Sequence, residues 1–189
     1  MKIFAALITF IVLVLIASFL FIYSGVYNVA ATKPHKSLVK WVMHETMERS
    51  VKHQAKGIKP PTSLDESLVQ TGFNHYSEMC EGCHGKPGVS PSELKTGFNH
   101  EPPDLSKGFE WSQAELFWII KNGIKMSAMP GFGPTHSDEE IWGIVAFVNQ
   151  LPNLSPEEYK AMAKKSEGID IGHDGGHIRK HNHEHSHEH

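Results

Sequence analysis

The most chemically specific stretch of the chain is Cys80-Glu81-Gly82-Cys83-His84. Two thiols three residues apart can form thioether bonds to the vinyl groups of one porphyrin edge, and the histidine that follows can bind the iron. A thioredoxin-like redox pair is the first competing interpretation, but it requires a β-α-β pattern that the sequence lacks. Half of a zinc site is the second, but it requires further cysteines, and both cysteines of the chain lie in this motif. The motif therefore predicts covalent attachment of one haem c.

A sixth iron ligand is expected downstream, in the glycine-rich loop NGIKMSAMPGFG at residues 122–133. A methionine followed by proline can present its thioether at a fixed point, and such a soft ligand favours ferrous iron. Met129 lies 45 residues after His84 and is preferred over Met126. The alternative is that both methionines are packing residues. The isolated histidines His75, His100 and His136 are expected on the surface, and His100 or His136 becomes an iron-ligand candidate only if Met129 is not bound.

Residues 64–152 resemble a class I c-type cytochrome of the monohaem bacterial type. Besides the haem motif and Met129, four residues match the small and aromatic positions of the two helices that cross in that family: Gly72, Tyr76, Trp142 and Phe147. The resemblance implies an all-α, cytochrome c-like haem domain in which a glycine permits close approach of those helices. The wider arrangement, with an N-terminal anchor and a His-rich tail, also resembles membrane-anchored cytochromes of proteobacteria.

The resemblance also implies roles for particular residues. Cys80 and Cys83 are the thioether residues, His84 is the proximal ligand of the iron and Met129 is the distal ligand. The family uses a proline carbonyl to accept a hydrogen bond from the haem histidine, which orients the imidazole and raises its basicity. Pro102 or Pro103 is in the matching position, and Pro103 is the preferred candidate.

Four helix starts position these residues, each with a serine three residues before a glutamate, a spacing that permits a capping box. The pairs are Ser63 and Glu66, Ser112 and Glu115, Ser137 and Glu140, and Ser155 and Glu158. The four helices are expected to end at about Met79, at about Asn122, before Pro152 and at about Lys165. Long Gly/Pro-rich loops at 82–110 and 123–136 separate them, and no segment shows sustained strand alternation. A large apolar cofactor would explain loops of this length in a small domain.

Ile3–Gly25 contains no charged residue, and a helix of its 23 residues rises roughly 34 Å, enough to span a bilayer. The length favours a retained anchor over a cleaved signal peptide, although Val29-Ala30-Ala31 is a weak cleavage site. Lys2 and the amino terminus would remain in the cytoplasm, which places the rest outside. Lysines after the span weaken that assignment of sides. Together with the haem chemistry, the pattern predicts a single-pass protein of the bacterial inner membrane with a periplasmic haem domain.

The segment after the anchor is basic, and the haem domain is acidic. Residues 26–63 carry seven Lys or Arg against two acids, a net charge of +5, whereas residues 64–165 carry eight Lys against fourteen acids, a net charge of −6. Apolar residues at helical spacing within 33–59 predict a basic amphipathic helix. It is either an interfacial helix on an anionic membrane, with Trp41 at the interface, or a plain spacer.

The C-terminal tail contains seven of the chain's 14 histidines and almost nothing apolar, so it is expected to be disordered. Alternating imidazoles can chelate divalent Cu, Zn or Ni. The alternative is a solvated polar tail with no dedicated metal. The candidate ligands are His181, His183, His185, His187 and His189.

Four regions follow: an anchor at 1–25, a juxtamembrane segment and linker at 26–62, a haem domain at 63–165 and the tail at 166–189. The small net charge of −3 excludes a strongly basic nucleic-acid binder. The pattern predicts a membrane-anchored carrier of single electrons that is not an enzyme and takes no small-molecule substrate. Its redox partners are expected to be a quinol-oxidising complex, a dehydrogenase or a terminal oxidase. Two alternatives stay open: a haem subunit of a dehydrogenase or reductase complex, and a metal-handling or redox-sensing protein that uses the tail.

Overall fold

A computed structural model of the chain describes residues 2–63, 65–89, 92–166, 169–170 and 179–180. The described part is mostly helical, which confirms the predicted fold class. The chain divides into two compact units, Met1–Pro34 and His35–His189. The seven α-helices of the described part are α1 (Lys2–Tyr23), α2 (Ser37–Gln54), α3 (Glu66–Met79), α4 (Glu81–His84), α5 (Gln113–Asn122), α6 (Asp138–Gln150) and α7 (Pro156–Ser166).

The first unit consists mainly of α1. This helix has 22 residues, its most apolar 18-residue window has a mean hydropathy of 3.0, and none of it is buried. Among the described residues it is the one helix long and apolar enough to cross a membrane. Its bounds agree closely with the predicted apolar stretch Ile3–Gly25.

The second unit is built around the crossing of α3 and α6. Gly72 of α3 lies against the backbone of Gly143 of α6, so closely that a Cβ at position 72 would overlap the Gly143 carbonyl. The predicted close approach at Gly72 is therefore confirmed. Around the crossing, Phe73 and Tyr76 pack against Phe147 with ring centroids 5.3 and 5.1 Å apart, and all three side chains are fully buried.

Three of the four predicted helix starts carry capping boxes. At each of them the serine hydroxyl accepts a hydrogen bond from the glutamate backbone N–H, while the glutamate carboxylate accepts one from the serine backbone N–H: Ser112 with Glu115, Ser137 with Glu140, and Ser155 with Glu158. The predicted box at Ser63 is wrong. The N-cap of α3 is Asp65, whose carboxylate accepts a 2.8 Å hydrogen bond from the backbone N–H of Leu68. A carboxylate is as good a cap as a hydroxyl, and here it stands immediately before the first helical residue.

Helix α2 belongs to the second unit and packs against α5. Val51 and Ala55, at its C-terminal end, are 1% and 5% exposed, and the ammonium of Lys52 lies 5.9 Å from the centre of the Trp111 ring. The sequence predicted a juxtamembrane segment that ends before the haem domain begins. In the structure the C-terminal half of this segment contributes to the core of the same unit. The predicted region boundaries themselves stay a prediction.

Short elements complete the second unit. Three 3₁₀-helices lie in the loops and after α6, at Glu93–Gly97, Leu105–Lys107 and Leu151–Asn153. Two two-residue strands, β1 (Ile169–Asp170) and β2 (Arg179–Lys180), pair antiparallel near the C-terminus. The predicted loop at 123–136 contains no helix or strand, whereas the predicted loop at 82–110 contains the end of α4 and the first two of these 3₁₀-helices.

Candidate functional site

The Cys-x-x-Cys-His motif forms a single helical turn directly after α3. The backbone carbonyl of Cys80 accepts hydrogen bonds from the N–H of Cys83 at 3.1 Å and of His84 at 2.8 Å. Because residues three and four apart lie on the same face of a helix, the turn directs Cys80, Cys83 and His84 to one side. Both cysteines are free, Cys80 buried and Cys83 partly buried. Burial, and to a smaller extent the neighbouring Cys83, raises the pKa of the Cys80 thiol to about 12, so this thiol is uncharged at neutral pH.

The imidazole of His84 is oriented by a backbone carbonyl. Its Nδ1 lies 2.9 Å from the carbonyl oxygen of Pro103, and since that oxygen can only accept, Nδ1–H is the donor. Burial lowers the pKa of His84 from its ordinary value, and the hydrogen bond to Pro103 partly opposes this effect. The ring is therefore neutral, with the lone pair on Nε2, which is the form that binds a metal. Of the two prolines considered from the sequence, the structure places Pro103 at this contact.

Met129 is held in a loop whose backbone is tightly packed. The Met129 carbonyl accepts a 3.1 Å hydrogen bond from Ile124 N–H. Gly123 ends α5 at a φ of +68°, and a Cβ there would lie 2.7 Å from the Met129 carbonyl oxygen. The two candidate methionines differ in environment: the Met129 side chain packs against the hydrophobic core, whereas Met126 is 84% exposed.

The residues of this region fit a haem c. A c-type haem needs two thiols, an imidazole with a free nitrogen lone pair and apolar surroundings, and the motif turn supplies the first two requirements. Cys80 is part of the hydrophobic core cluster. Apolar side chains from the connections between α4 and α5 and between α5 and α6 pack against that cluster while staying partly exposed: Leu105, Phe109, Trp111, Met129 and Phe132. These side chains supply the third requirement.

The prediction that His75 and His136 are surface histidines is wrong. His75 of α3 is 2% exposed and His136 is 9% exposed, and their rings pack edge to face with centroids 5.0 Å apart. Both are buried because the chain that follows the Met129 loop packs onto α3 at this point. His75 Nε2 lies 3.8 Å from a carboxylate oxygen of Glu140, and His136 Nδ1 lies 2.9 Å from the Thr135 hydroxyl.

The third isolated histidine, His100, is partly buried, and its ring centroid lies 5.8 Å from that of His35. Within the described residues, no group of three or more His, Cys, Asp or Glu side chains is arranged to hold a metal ion. The predicted tail ligands, His181 to His189, lie outside the described residues.

Hydrogen bonds to the Glu81 carboxylate, which the sequence did not predict, link the motif to α7. The Tyr159 hydroxyl donates a 2.7 Å hydrogen bond to Glu81 Oε2, and Lys86 Nζ donates a 2.5 Å hydrogen bond to Glu81 Oε1. On the other side of the turn, the buried Tyr76 hydroxyl donates a 2.7 Å hydrogen bond to the carbonyl of Gly85. Only the polar character of Glu81, between the two cysteines, could have pointed to this arrangement, because Tyr159 is 78 residues away in sequence.

The comparison with family models identifies the central part of the second unit. Residues 67–148 match the model for subunit III of cbb3-type cytochrome c oxidase. This stretch is a c-type cytochrome domain. The match contains the crossing of α3 and α6, the motif turn and the Met129 loop, and it implies haem c and electron transfer for the cytochrome domain.

Further comparisons add less. A chain of the reducing HAO-like protein complex of Kuenenia stuttgartiensis is 28% identical and has a TM-score of 0.40. The match covers 49% of the present chain and 46% of the solved one, so the chain spans less than half the length of that relative. No curated protein sequence matches this chain.

Proposed function

We propose that this protein is a membrane-anchored monohaem cytochrome that carries single electrons between redox partners. The observation that supports this most directly is the hydrogen bond from His84 Nδ1–H to the Pro103 carbonyl. It fixes the tautomer in which Nε2 can bind iron, on the same turn as the two thiols. A histidine held for packing alone has no need of a specified free nitrogen.

The roles of the residues follow from their chemistry. Cys80 and Cys83 would provide the sulfurs of two thioether bonds, and His84 Nε2 and Met129 Sδ would hold the iron. When bound, haem c supplies one-electron ferric/ferrous chemistry. Pro103 orients the imidazole and raises its basicity, while Tyr76 and the Glu81–Tyr159 contact hold the motif turn. Since His84 and Met129 would both hold the iron, no coordination position would remain for a substrate, so the proposal is a carrier and not an enzyme.

The membrane assignment is part of the same proposal. Helix α1 is the anchor, Lys2 remains on the cytoplasmic side, and the cytochrome domain lies in the periplasm at the bacterial inner membrane. Anchoring confines diffusion to two dimensions and keeps the carrier close to membrane-bound donors and acceptors. The partner classes are a quinol-oxidising complex, a dehydrogenase or a terminal oxidase. The net charge of −6 on residues 64–165 suits partners with basic docking surfaces.

The proposal is tested by spectroelectrochemistry on the full chain, purified with its haem, in the wild type and in two matched variants. Met129→Ala is expected to abolish the Met–iron charge-transfer band of the ferric state and to lower the reduction potential, because a soft ligand for ferrous iron is lost. Met126→Ala, at an exposed position 84% open to solvent, is expected to change neither. Loss of the band in Met126→Ala, or its retention in Met129→Ala, would reject Met129 as the ligand.

The same preparation separates the proposal from its alternatives. Cys80→Ala and Cys83→Ala together should leave a polypeptide without covalent haem after denaturing electrophoresis. Co-purification of a stable catalytic partner would identify a complex subunit rather than a mobile carrier. A reduction potential that shifts on adding one equivalent of Cu(II) would instead favour metal handling by the tail histidines, His181, His183, His185, His187 and His189.

A further inference from the structure

The first turns of α2 present an apolar surface that no described part of the chain covers. Leu38, Val39, Trp41 and Val42 are 70%, 40%, 60% and 46% exposed, and we refer to these four residues as the α2 patch. Since residues three and four apart are neighbours on a helix, Leu38, Trp41 and Val42 form a contiguous apolar surface. Most monomeric soluble proteins keep such contiguous apolar surface small, and a larger one marks an interaction site.

The patch is distinct from the side of α2 that packs on the cytochrome domain. The domain-facing side consists of Met43, Met47 and Val51, which are partly or fully buried, and it continues to the buried Ala55. On the outward side of the second half of the helix, apolar residues give way to the ion pairs Glu45–Arg49 and Glu48–Lys52. The outward side of α2 is therefore apolar only at its N-terminal end.

The charge around the patch is uniformly positive. Residues 24–44 contain Lys33, Lys36 and Lys40 and no aspartate or glutamate. The first acidic residue, Glu45, is paired with Arg49 within the same helix. An exposed tryptophan among aliphatic residues and lysines is the composition of a segment that lies at the headgroup level of an anionic bilayer.

The chain length specifies a lipid surface as the occupant. Helix α1 ends at Tyr23 and α2 begins at Ser37, so 13 residues separate them. At about 3.5 Å per residue this connection reaches at most about 45 Å, so the patch is tethered close to whichever bilayer holds α1.

We propose that the α2 patch inserts into the headgroup region of the bilayer that holds α1 and thereby fixes the orientation of the cytochrome domain on the membrane. This inference rests on the proposed membrane anchoring and adds a second membrane contact to it. Because α2 packs on α5 and Val51 on its opposite side is buried, an orientation imposed on α2 is transmitted to the whole domain. The domain then presents a constant face to its redox partners instead of rotating freely on its linker.

The contact is tested on the full-length holoprotein, in the ferrous state, in nanodiscs of phosphatidylcholine and phosphatidylglycerol. Fluorotryptophan labels the four tryptophans, and Trp41→Phe assigns the Trp41 resonance in ¹⁹F NMR. A lipid with a spin label near its headgroup is expected to broaden the Trp41 resonance strongly while leaving that of Trp142 unchanged, since Trp142 is partly buried and stacks on Phe117. Equal broadening of the Trp41 and Trp142 resonances would overturn the proposal.

The orientation is tested by linear dichroism of the haem absorption in oriented bilayers. The double variant Leu38→Ser, Val42→Ser is expected to lose the dichroism of the wild type. The matched control Val89→Ser, at a residue 54% exposed elsewhere in the second unit, is expected to keep it. Equal dichroism in the wild type and the double variant, zero included, would overturn the orientation. If the wild type fails to incorporate into bilayers or lacks haem, the proposed function fails instead, so the two failures are distinguishable.

Discussion

The crossing of α3 and α6 makes a quantitative prediction for Gly72→Ala. A Cβ at position 72 would overlap the carbonyl of Gly143 and lie 2.8 Å from the backbone nitrogen of Ile144. Both obstacles are backbone atoms of another helix, so no side-chain rotation can relieve the overlap and the two helices must move apart. That movement would loosen the ring contacts of Phe73 and Tyr76 with Phe147, which hold the core together.

Overpacking a core costs about 1–3 kcal/mol, and a backbone collision belongs at or above the upper end of this range. Alanine in place of glycine inside a helix stabilises the folded state by about 1 kcal/mol through its higher helix propensity. We therefore expect a net loss of about 2–3 kcal/mol in the free energy of unfolding, a large fraction of the stability of a small domain. Two matched substitutions set the scale. Gly143→Ala should cost less, because its closest new contact is 2.9 Å, from the Cβ to the Leu68 carbonyl oxygen. Gly97→Ala should change stability by less than about 0.5 kcal/mol, since nothing lies within 4 Å of a Cβ there.

The assay is urea denaturation of the full chain in detergent micelles, followed by tryptophan fluorescence. Helix α1 contains no tryptophan, so the signal reports on the second unit. The three variants should rank Gly72→Ala, Gly143→Ala, Gly97→Ala in decreasing loss of stability, with unchanged m-values. If the free energies of unfolding of Gly72→Ala and Gly97→Ala agree within about 0.5 kcal/mol, the reasoning is refuted, because α3 and α6 would then have space for a Cβ at position 72.

Three further predictions use the same denaturation assay. Val51→Ala should cost about 2 kcal/mol, because its side chain is 1% exposed, whereas Val89→Ala, at a residue 54% exposed and outside the α2 patch, should cost less than about 0.5 kcal/mol. Tyr76→Phe should cost about 1–3 kcal/mol, because it leaves a buried carbonyl without its donor. Ser137→Ala should cost about 1 kcal/mol at pH 7 as a lost helix cap. That cost should shrink in acid, because the pKa of Glu140 lies below its ordinary value. Partial burial raises this pKa, but the hydrogen bonds from Ser137 and the nearby His75 and His136 lower it by more.

The sign of the acid effect follows from linkage. A carboxyl whose pKa is lower in the folded state contributes stability above its unfolded pKa and loses that contribution as the pH falls through the folded value. The wild type therefore loses more stability than Ser137→Ala between pH 5 and the acid side of the Glu140 pKa. Parallel pH profiles for the two proteins would show that the Ser137–Glu140 contact does not set this pKa. Equal stabilities of Val51→Ala and Val89→Ala would show that the C-terminal end of α2 is not packed in solution. A Tyr76→Phe protein as stable as the wild type would contradict the buried hydrogen bond.

Local features of the structure were predictable from the sequence because their causes are local. The capping boxes at Ser112 and Ser137 need only a serine and a glutamate three residues apart, and both formed as predicted. The same rule failed at Ser63 because Asp65, two residues further on, competes for the same task and lies next to the first helical residue. A local rule thus locates a helix start well, but it does not choose between two caps in the same window.

The burial of individual side chains was less predictable, because it depends on which elements, distant in sequence, pack against them. His75 and His136 are polar residues 61 positions apart, and nothing near either of them in sequence indicates that they pack against each other. The helical spacing that includes Val51 was visible in the sequence, but its burial was not. Helix α2 packs on α5, which begins more than 60 residues later. The types and spacing of its residues predicted the chemistry of the motif, and a family resemblance predicted its proline contact, whereas these tertiary contacts depend on how distant segments pack.

The two ends of α2 connect these observations to function. Its C-terminal end is packed on the cytochrome domain through Val51, and its N-terminal end is apolar, basic and exposed. A plain spacer would need neither property, because it neither packs on a domain nor contacts a second surface. A purely interfacial helix would extend its apolar surface along its whole length, but here the outward side turns to ion pairs after Met43. Under the proposed membrane contact, α2 would act as a rigid connection, and its 18 residues would set the orientation of the cytochrome domain as well as its distance from the membrane.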